Sequence, residues 1–146
     1  MGVEIQPAHS DEEIAATFDV MSQLRPHLRR EAYVATMRAL QASDGLQLLA
    51  LRDDGVVRAV ATWRLMNTLY CDRLLYVDDL VTDEGARSRG HGARLIARLK
   101  EEARAHGCDE IQLISNVKRE GAHRFYFREG FGIQCFHFRA GLGEAS

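Results

Sequence analysis

The chain has 146 residues, 46% hydrophobic and 27% charged, with a formal net charge of −2. That length and composition fit one globular domain, residues 1–146, able to bury a substantial core. The slightly acidic balance disfavours general nucleic-acid binding, no apolar run is long enough to span a bilayer, and no basic segment followed by an apolar stretch marks a signal peptide.

Cys71, Cys108 and Cys135 are widely spaced and form no C-x-x-C pair. The expectation is three reduced thiols in a cytoplasmic protein, and scattered His and Cys give no case for a metal. No internal repeat, low-complexity tract or Pro/Ser-rich linker divides the chain.

Residues 3–7 read as a short strand. Ser10 before Asp11-Glu12-Glu13 signals a helix start, with Glu13 at capping-box spacing. That helix would bury Ile14, Phe18, Met21 and Leu24 and end near Arg25-Pro26, because the residue before proline disfavours the helical region. A second helix is expected over about residues 29–41, with Tyr33, Met37 and Leu40 on one face. Asp44-Gly45 is a turn. Residues 47–52 and 56–66 read as strands around Asp53-Asp54-Gly55, since Asp-Gly between apolar runs is a hairpin signal. Residues 74–82 read as a central strand. Residues 90–106 give the clearest helix, with Leu95, Ile96, Leu99 and Ala103 in one stripe and Gly107 at its C-terminal cap. A strand over 110–115, a short helix over 120–129 and an edge strand over 131–139 close the chain. This order implies a mixed α/β fold, a mixed sheet with helices on its faces.

The most informative stretch is Arg87-Ser88-Arg89-Gly90-His91-Gly92, running directly into the clearest helix. The first N–H groups of a helix lack partners inside it, and its dipole favours an anion there. Glycines let a backbone approach a ligand closely, and Arg87 and Arg89 would add charge-assisted bonds to phosphate oxygens. A Rossmann fingerprint fails, because Leu95 stands where the third glycine belongs. A Walker loop fails for want of Gly-Lys-Ser/Thr. On its own the turn also fits a plain flexible loop with solvated arginines.

Asp78 and Asp79 interrupt an apolar strand, and ionised carboxylates are rarely buried without partners. They either face solvent or act on a proton of a bound ligand. A partly buried acid beside another would have a raised pKa. Strand alternation puts the two on opposite faces unless a bulge intervenes. Residues alone do not choose between them. Tyr126 in isolation reads as a packing aromatic beside Phe125 and Phe127.

Arg87-x-x-Gly90-x-Gly92 after Asp79-Leu80-Val81-Thr82, with Phe125-Tyr126-x-x-x-Gly130-Phe131 downstream, resembles the GNAT superfamily of N-acetyltransferases. The resemblance spans essentially the whole chain and its element order. It implies a central mixed sheet with splayed central strands and about four helices. It implies acetyl-CoA as co-substrate, its pyrophosphate held by the amides of Ser88, Arg89, Gly90, His91, Gly92 and Ala93. The pantetheine arm would pair with a bulged strand at Leu80, Val81 and Thr82, a form of β-augmentation. Tyr126 would protonate the departing thiolate, and Asp78 or Asp79, or water, would deprotonate the amine. Many members carry an asparagine seven residues before the tyrosine. Here that position is Arg119, with Asn116 three residues earlier, and both are candidate cofactor contacts, as is Lys118 for the phosphates.

By the same resemblance, Arg25, His27, Trp63 and His137 are candidates for the acceptor pocket, and Arg25 suits a carboxylate or phosphate. The acceptor is expected to be a small amine or a protein amine. A homodimer through the C-terminal strand with Phe136 and Phe138 is a further expectation. The reading from another class is a non-catalytic acyl-CoA-binding sensor on the same scaffold, and a more distant one a general phosphate-binding protein.

Overall fold

The computed structural model describes residues 2–143. Its first helix starts on a reciprocal pair of bonds. The Glu13 amide donates to Ser10 Oγ at 3.0 Å, and the Ser10 amide donates to Glu13 Oε1 at 2.9 Å. This capping box satisfies N–H groups that α1 (Asp11–Ala15) would otherwise leave open. One continuous helix to Arg25-Pro26 is not what forms. The segment is split into α1 and α2 (Phe18–Leu24). The cause is Thr17, fully buried, whose hydroxyl donates to the Ile14 carbonyl at 2.7 Å and lies 2.8 Å from the Tyr33 hydroxyl. A threonine bonding its local backbone competes with the helical ladder.

The third helix, α3 (Arg30–Asp44), runs three residues beyond its expected end and stops at Gly45, whose φ of 66° is the left-handed cap that glycine adopts without a Cβ penalty. Strands β1 (Val3–Pro7), β2 (Gln47–Asp53), β3 (Val56–Thr68), β4 (Asp72–Thr82) and β5 (Glu110–Leu113) form one sheet in sequential order. All pairs are antiparallel except β4–β5. The β2–β3 hairpin turns on Asp54 (φ 50°) and Gly55 (φ 82°), the two positive-φ residues of a type I′ turn. The long helix α4 (His91–Ala105) returns between β4 and β5. The fold is the mixed α/β one that the sequence implied.

Alternation sorts the core. Leu48, Val60 and Val81 share one face of the sheet and pack with Ile14, Phe18, Tyr33 and Met37 of the first three helices. The stripe of α4, Leu95, Ile96, Leu99 and Ala103, is buried, and α4 packs on β3, β4 and β5. Burying each large side chain contributes about 1.5–3 kcal/mol, so these two layers hold β4 from both sides.

The chain groups into two compact units, Met1–Leu113 and Ile114–Ser146. The second holds α5 (Glu120–Arg128), whose C-terminal turn is closed by the Phe131 amide donating to the Tyr126 carbonyl at 3.0 Å. The closing strand expected over 131–139 is absent. Ile133, Phe136 and Phe138 are exposed and the segment has no ladder. Alternation supplies a strand with a face but not with a partner, and an unpaired strand does not persist as one.

Candidate active site

The site is built on an irregularity in β4. Asp79 pairs with Thr62 of β3 and Val77 pairs with Trp63, so Asp78 is an extra residue on β4, a β-bulge. The bulge cancels one step of alternation and puts both carboxylates on the same face. Asp79 takes bonds on both oxygens, from Arg25 Nε at 2.8 Å and from the Thr62 hydroxyl. Asp78 takes Arg64 Nε and Nη2, both at 2.8 Å, on Oδ2 alone. Among the described residues its Oδ1 has no partner. The bulge also frees the Asp78 carbonyl, and Arg25 Nη2 donates to it at 3.2 Å. Burial pushes the Asp78 carboxyl above the usual carboxylate range, against the opposing pull of Arg64, while the neighbouring Asp79 pushes the same way as burial.

On its other edge β4 has only a short parallel partner. β4 pairs with β3 along its whole length, but with β5 only from Leu74 to Val77. From Asp78 to Thr82 the backbone of β4 on the β5 side has no strand partner among the described residues. Leu80 and Thr82 are half-buried and Val81 is buried. At the end of the strand Asp83 anchors the turn that follows. It accepts from Gln23 Nε2 at 2.9 Å and from Arg58 Nη1 at 3.0 Å, and these partners hold its carboxyl below the usual range. The Glu84 amide in turn donates to Gln23 Oε1 at 2.9 Å, so α2 holds both sides of this junction.

A 3-10 turn over Glu84–Ala86 leads into the exposed Arg87, Ser88 and Arg89. Ser88 has φ 68° and Gly90 has φ 79°; Gly90 is the N-cap of α4 and brings no side-chain cap. The first bond of the helix runs from the Arg94 amide to the Gly90 carbonyl at 3.1 Å. The amides of His91, Gly92 and Ala93 precede it, and no acidic side chain sits in that first turn. The result is an uncapped helix start flanked by two arginines, which fits an anion such as a diphosphate. The His91 side chain plays no outward part. It is buried, with Nε2 3.6 Å from Asp53 Oδ2, so only its backbone can serve a ligand.

In the second unit Tyr126 is buried, edge-on to Phe125 and Phe131. Burial raises its phenol above the ordinary value, and the Arg119 side chain pulls the other way. The residue that replaces the usual asparagine therefore acts on the tyrosine. Asn116 caps its own loop: Oδ1 accepts the Lys118 amide at 2.9 Å, and its carbonyl lies 2.8 Å from His123 Nε2.

The three acceptor-pocket candidates of the first unit are not gathered on one face. Arg25 lies on the two aspartates, and His27 is exposed in the turn after α2. Trp63 is adjacent to Thr62 on β3 and so faces the other side, its ring tilted 5.7 Å from that of His106, the residue just past α4, in a cleft of ≈ 390 Å³ with Asp44 and Glu102. The resemblance gave it a pocket role; strand alternation puts it on the face opposite Thr62 and Asp79. His137 belongs to the second unit and is exposed. Sequence reasoning missed Arg64, Thr62 and Asp83. Arg64 and Thr62 share parity on β3, a signal that needed the pairing register to be useful.

A bulged strand leading through a glycine turn into an uncapped helix makes a scaffold suited to a phosphate-bearing ligand. The model of the acetyltransferase (GNAT) family matches residues 13–132. The chain belongs to the GNAT acetyltransferase family, whose activity is acetyl-CoA-dependent acetyl transfer. It is 31% identical over 138 residues to the uncharacterized N-acetyltransferase YhdJ of Bacillus subtilis, covering 94% of this chain and 97% of that one. It is 34% identical over 94 residues to the aminoalkylphosphonate N-acetyltransferase of Salmonella typhimurium, covering 64% and 61%. Among solved structures, a transcriptional regulator from Bacillus halodurans superposes with a TM-score of 0.84 at 19% identity, covering 96% of this chain and 99% of that one. Aminoglycoside N-acetyltransferase AAC(6')-Iy in complex with CoA superposes with 0.81 at 19%, covering 97% and 95%. At such identities these two structures speak for the fold alone.

Proposed function

We propose that this chain transfers the acetyl group of acetyl-CoA to the primary amine of a small acceptor by direct attack, with Asp78 as the base. The observation that carries the choice is the free Oδ1 of Asp78. Asp79 has both oxygens engaged and serves to hold Arg25 and Thr62 in place, whereas Asp78 keeps one oxygen open on a half-buried carboxylate of raised pKa. A base tuned upward in this way is better matched to an amine proton near neutral pH.

The amides of His91, Gly92 and Ala93, with Arg87 and Arg89, hold the diphosphate of the coenzyme. The unpaired backbone of Leu80 to Thr82 aligns its arm, and a β4 amide polarises the thioester carbonyl. Asp78 accepts the proton of the amine. The amine nitrogen forms a bond to the acetyl carbon, the carbon–sulfur bond breaks, and the Tyr126 phenol gives its proton to the departing thiolate. Holding both reactants at one strand supplies much of the acceleration by proximity.

The test is thiol release from acetyl-CoA across a panel of amines, with wild type and Asp78→Asn compared. Loss of a positioned base is expected to lower kcat by about 10²–10⁴-fold with little change in the affinity for coenzyme. Equal rates for the two proteins would remove Asp78 from the chemistry.

A further inference from the structure

Two guanidinium groups stand beside the proposed base, and neither is spent on it completely. Arg25 uses Nε on Asp79 and Nη2 on the Asp78 carbonyl; its Nη1 has no partner among the described residues, and its side chain is 44% exposed. Arg64 grips one oxygen of Asp78, and its Nη1 is only 3.8 Å from the half-exposed Asp44. Arg25 and Arg64 offset Asp78 and Asp79 charge for charge. Immediately around the base this balance favours neither a polycation nor a polyanion. The site does offer an open carboxylate oxygen next to an outward guanidinium edge.

We infer that the acceptor is a small zwitterion, an amine bearing a carboxylate or phosphonate a few bonds away, with Arg25 as the residue that selects the acid. The inference rests on the acetyl-transfer reading above and names its substrate class. The amine docks on Asp78 Oδ1. The acid group takes the free Nη1 edge of Arg25, whose planar donors match such oxygens. Arg25 reaches the backbone of the residue whose side chain receives the amine, so the two recognition points are close, and a second ammonium gains nothing there because it would find a cation in place of an acid partner. Specificity of this kind arises as much from the repelled competitor as from the favoured partner.

The experiment measures kcat/KM by thiol release for β-alanine, 2-aminoethylphosphonate, β-alaninamide and cadaverine. β-Alaninamide has nearly the shape of β-alanine without its charge, and its amine deprotonates more readily, so intrinsic reactivity favours the amide. The expected result is at least one acid-bearing acceptor preferred over the amide by about tenfold or more, equivalent to about 1.4 kcal/mol, with cadaverine no better than the amide. The two acid arms tell a carboxylate site from a phosphonate site. In Arg25→Met the ratio falls toward unity, and in Arg25→Lys part of it survives. A merely structural loss would lower all acceptors alike and leave the ratio unmoved. An amide or a diamine turned over as well as the acids overturns the inference while leaving acetyl transfer standing, and so does a ratio unchanged in Arg25→Met. If Arg25→Met does not fold, the wild-type ratio and Arg25→Lys decide. Thiol release with none of the four, together with no saturable coenzyme binding, overturns both readings.

Discussion

Asp78 and Asp79 differ in how their donors are shared, two on one oxygen of Asp78 and one on each oxygen of Asp79, and the proposed base assignment rests on that difference. The Asp78 carboxyl is pushed upward by burial, so the acid limb of kcat/KM should have its midpoint above the ordinary aspartate value of about 3.9. Asp79→Asn should keep that limb and lose part of the rate through a misplaced Arg25, whereas Asp78→Asn should abolish it; a limb identical in both variants would contradict the assignment. The sign carries over to stability. A carboxyl whose folded pKa lies above its unfolded one binds more protons when folded, so stability falls as pH rises between the two values. Thermal melts across that window should show the slope in wild type and a shallower one in Asp78→Asn. Tyr126→Phe keeps the buried ring and removes the proton, and should reduce kcat far more than it alters coenzyme affinity. Unchanged turnover would take the phenol out of the mechanism.

Among elements, the start of α4 shows what a local motif can and cannot reveal. Gly90 has φ 79° and no atom within 4 Å of where a Cβ would stand, so conformation, not space, demands glycine there. Gly90→Val should cost about 1–2 kcal/mol of backbone strain and displace the uncapped amides, raising KM for acetyl-CoA by about tenfold or more; calorimetry showing undiminished affinity would refute the cradle. This turn was legible in the sequence because its chemistry is contiguous. The proposed base was only half legible. The sequence shows two adjacent acids, but choosing between them takes the bulge, the register that brings Arg64 and Thr62 opposite, and Arg25 arriving from α2. Thr17 is the same lesson in a helix. Apolar spacing from Ile14 to Leu24 predicts one helix, and a buried hydroxyl bonded to Ile14 and Tyr33 divides it. Thr17→Val should leave the Tyr33 hydroxyl unsatisfied and destabilise the protein by about 1–3 kcal/mol in chemical unfolding, and a neutral result would mean that this bond does not hold α1 to α3.

For the molecule as a whole, hydrophobic alternation and the α4 stripe placed the two core layers correctly, because burial follows directly from period. They did not place the last strand. Residues 131–139 alternate suitably, yet Phe136 and Phe138 stand exposed, since pairing is a long-range property that no local pattern encodes. We propose that this segment pairs with a second copy of the chain: light scattering should find a dimer that Phe136→Ser with Phe138→Ser abolishes, and a monomer at every concentration would remove the idea. The broadest claim is that one strand carries both the coenzyme and the base. Its most direct measurement is a single-turnover experiment following free thiol and acetylated amine together. The account predicts one thiol per acetylated acceptor, at a rate that Asp78→Asn cuts by about 10²-fold or more. Saturable coenzyme binding with no thiol released from any amine would contradict it.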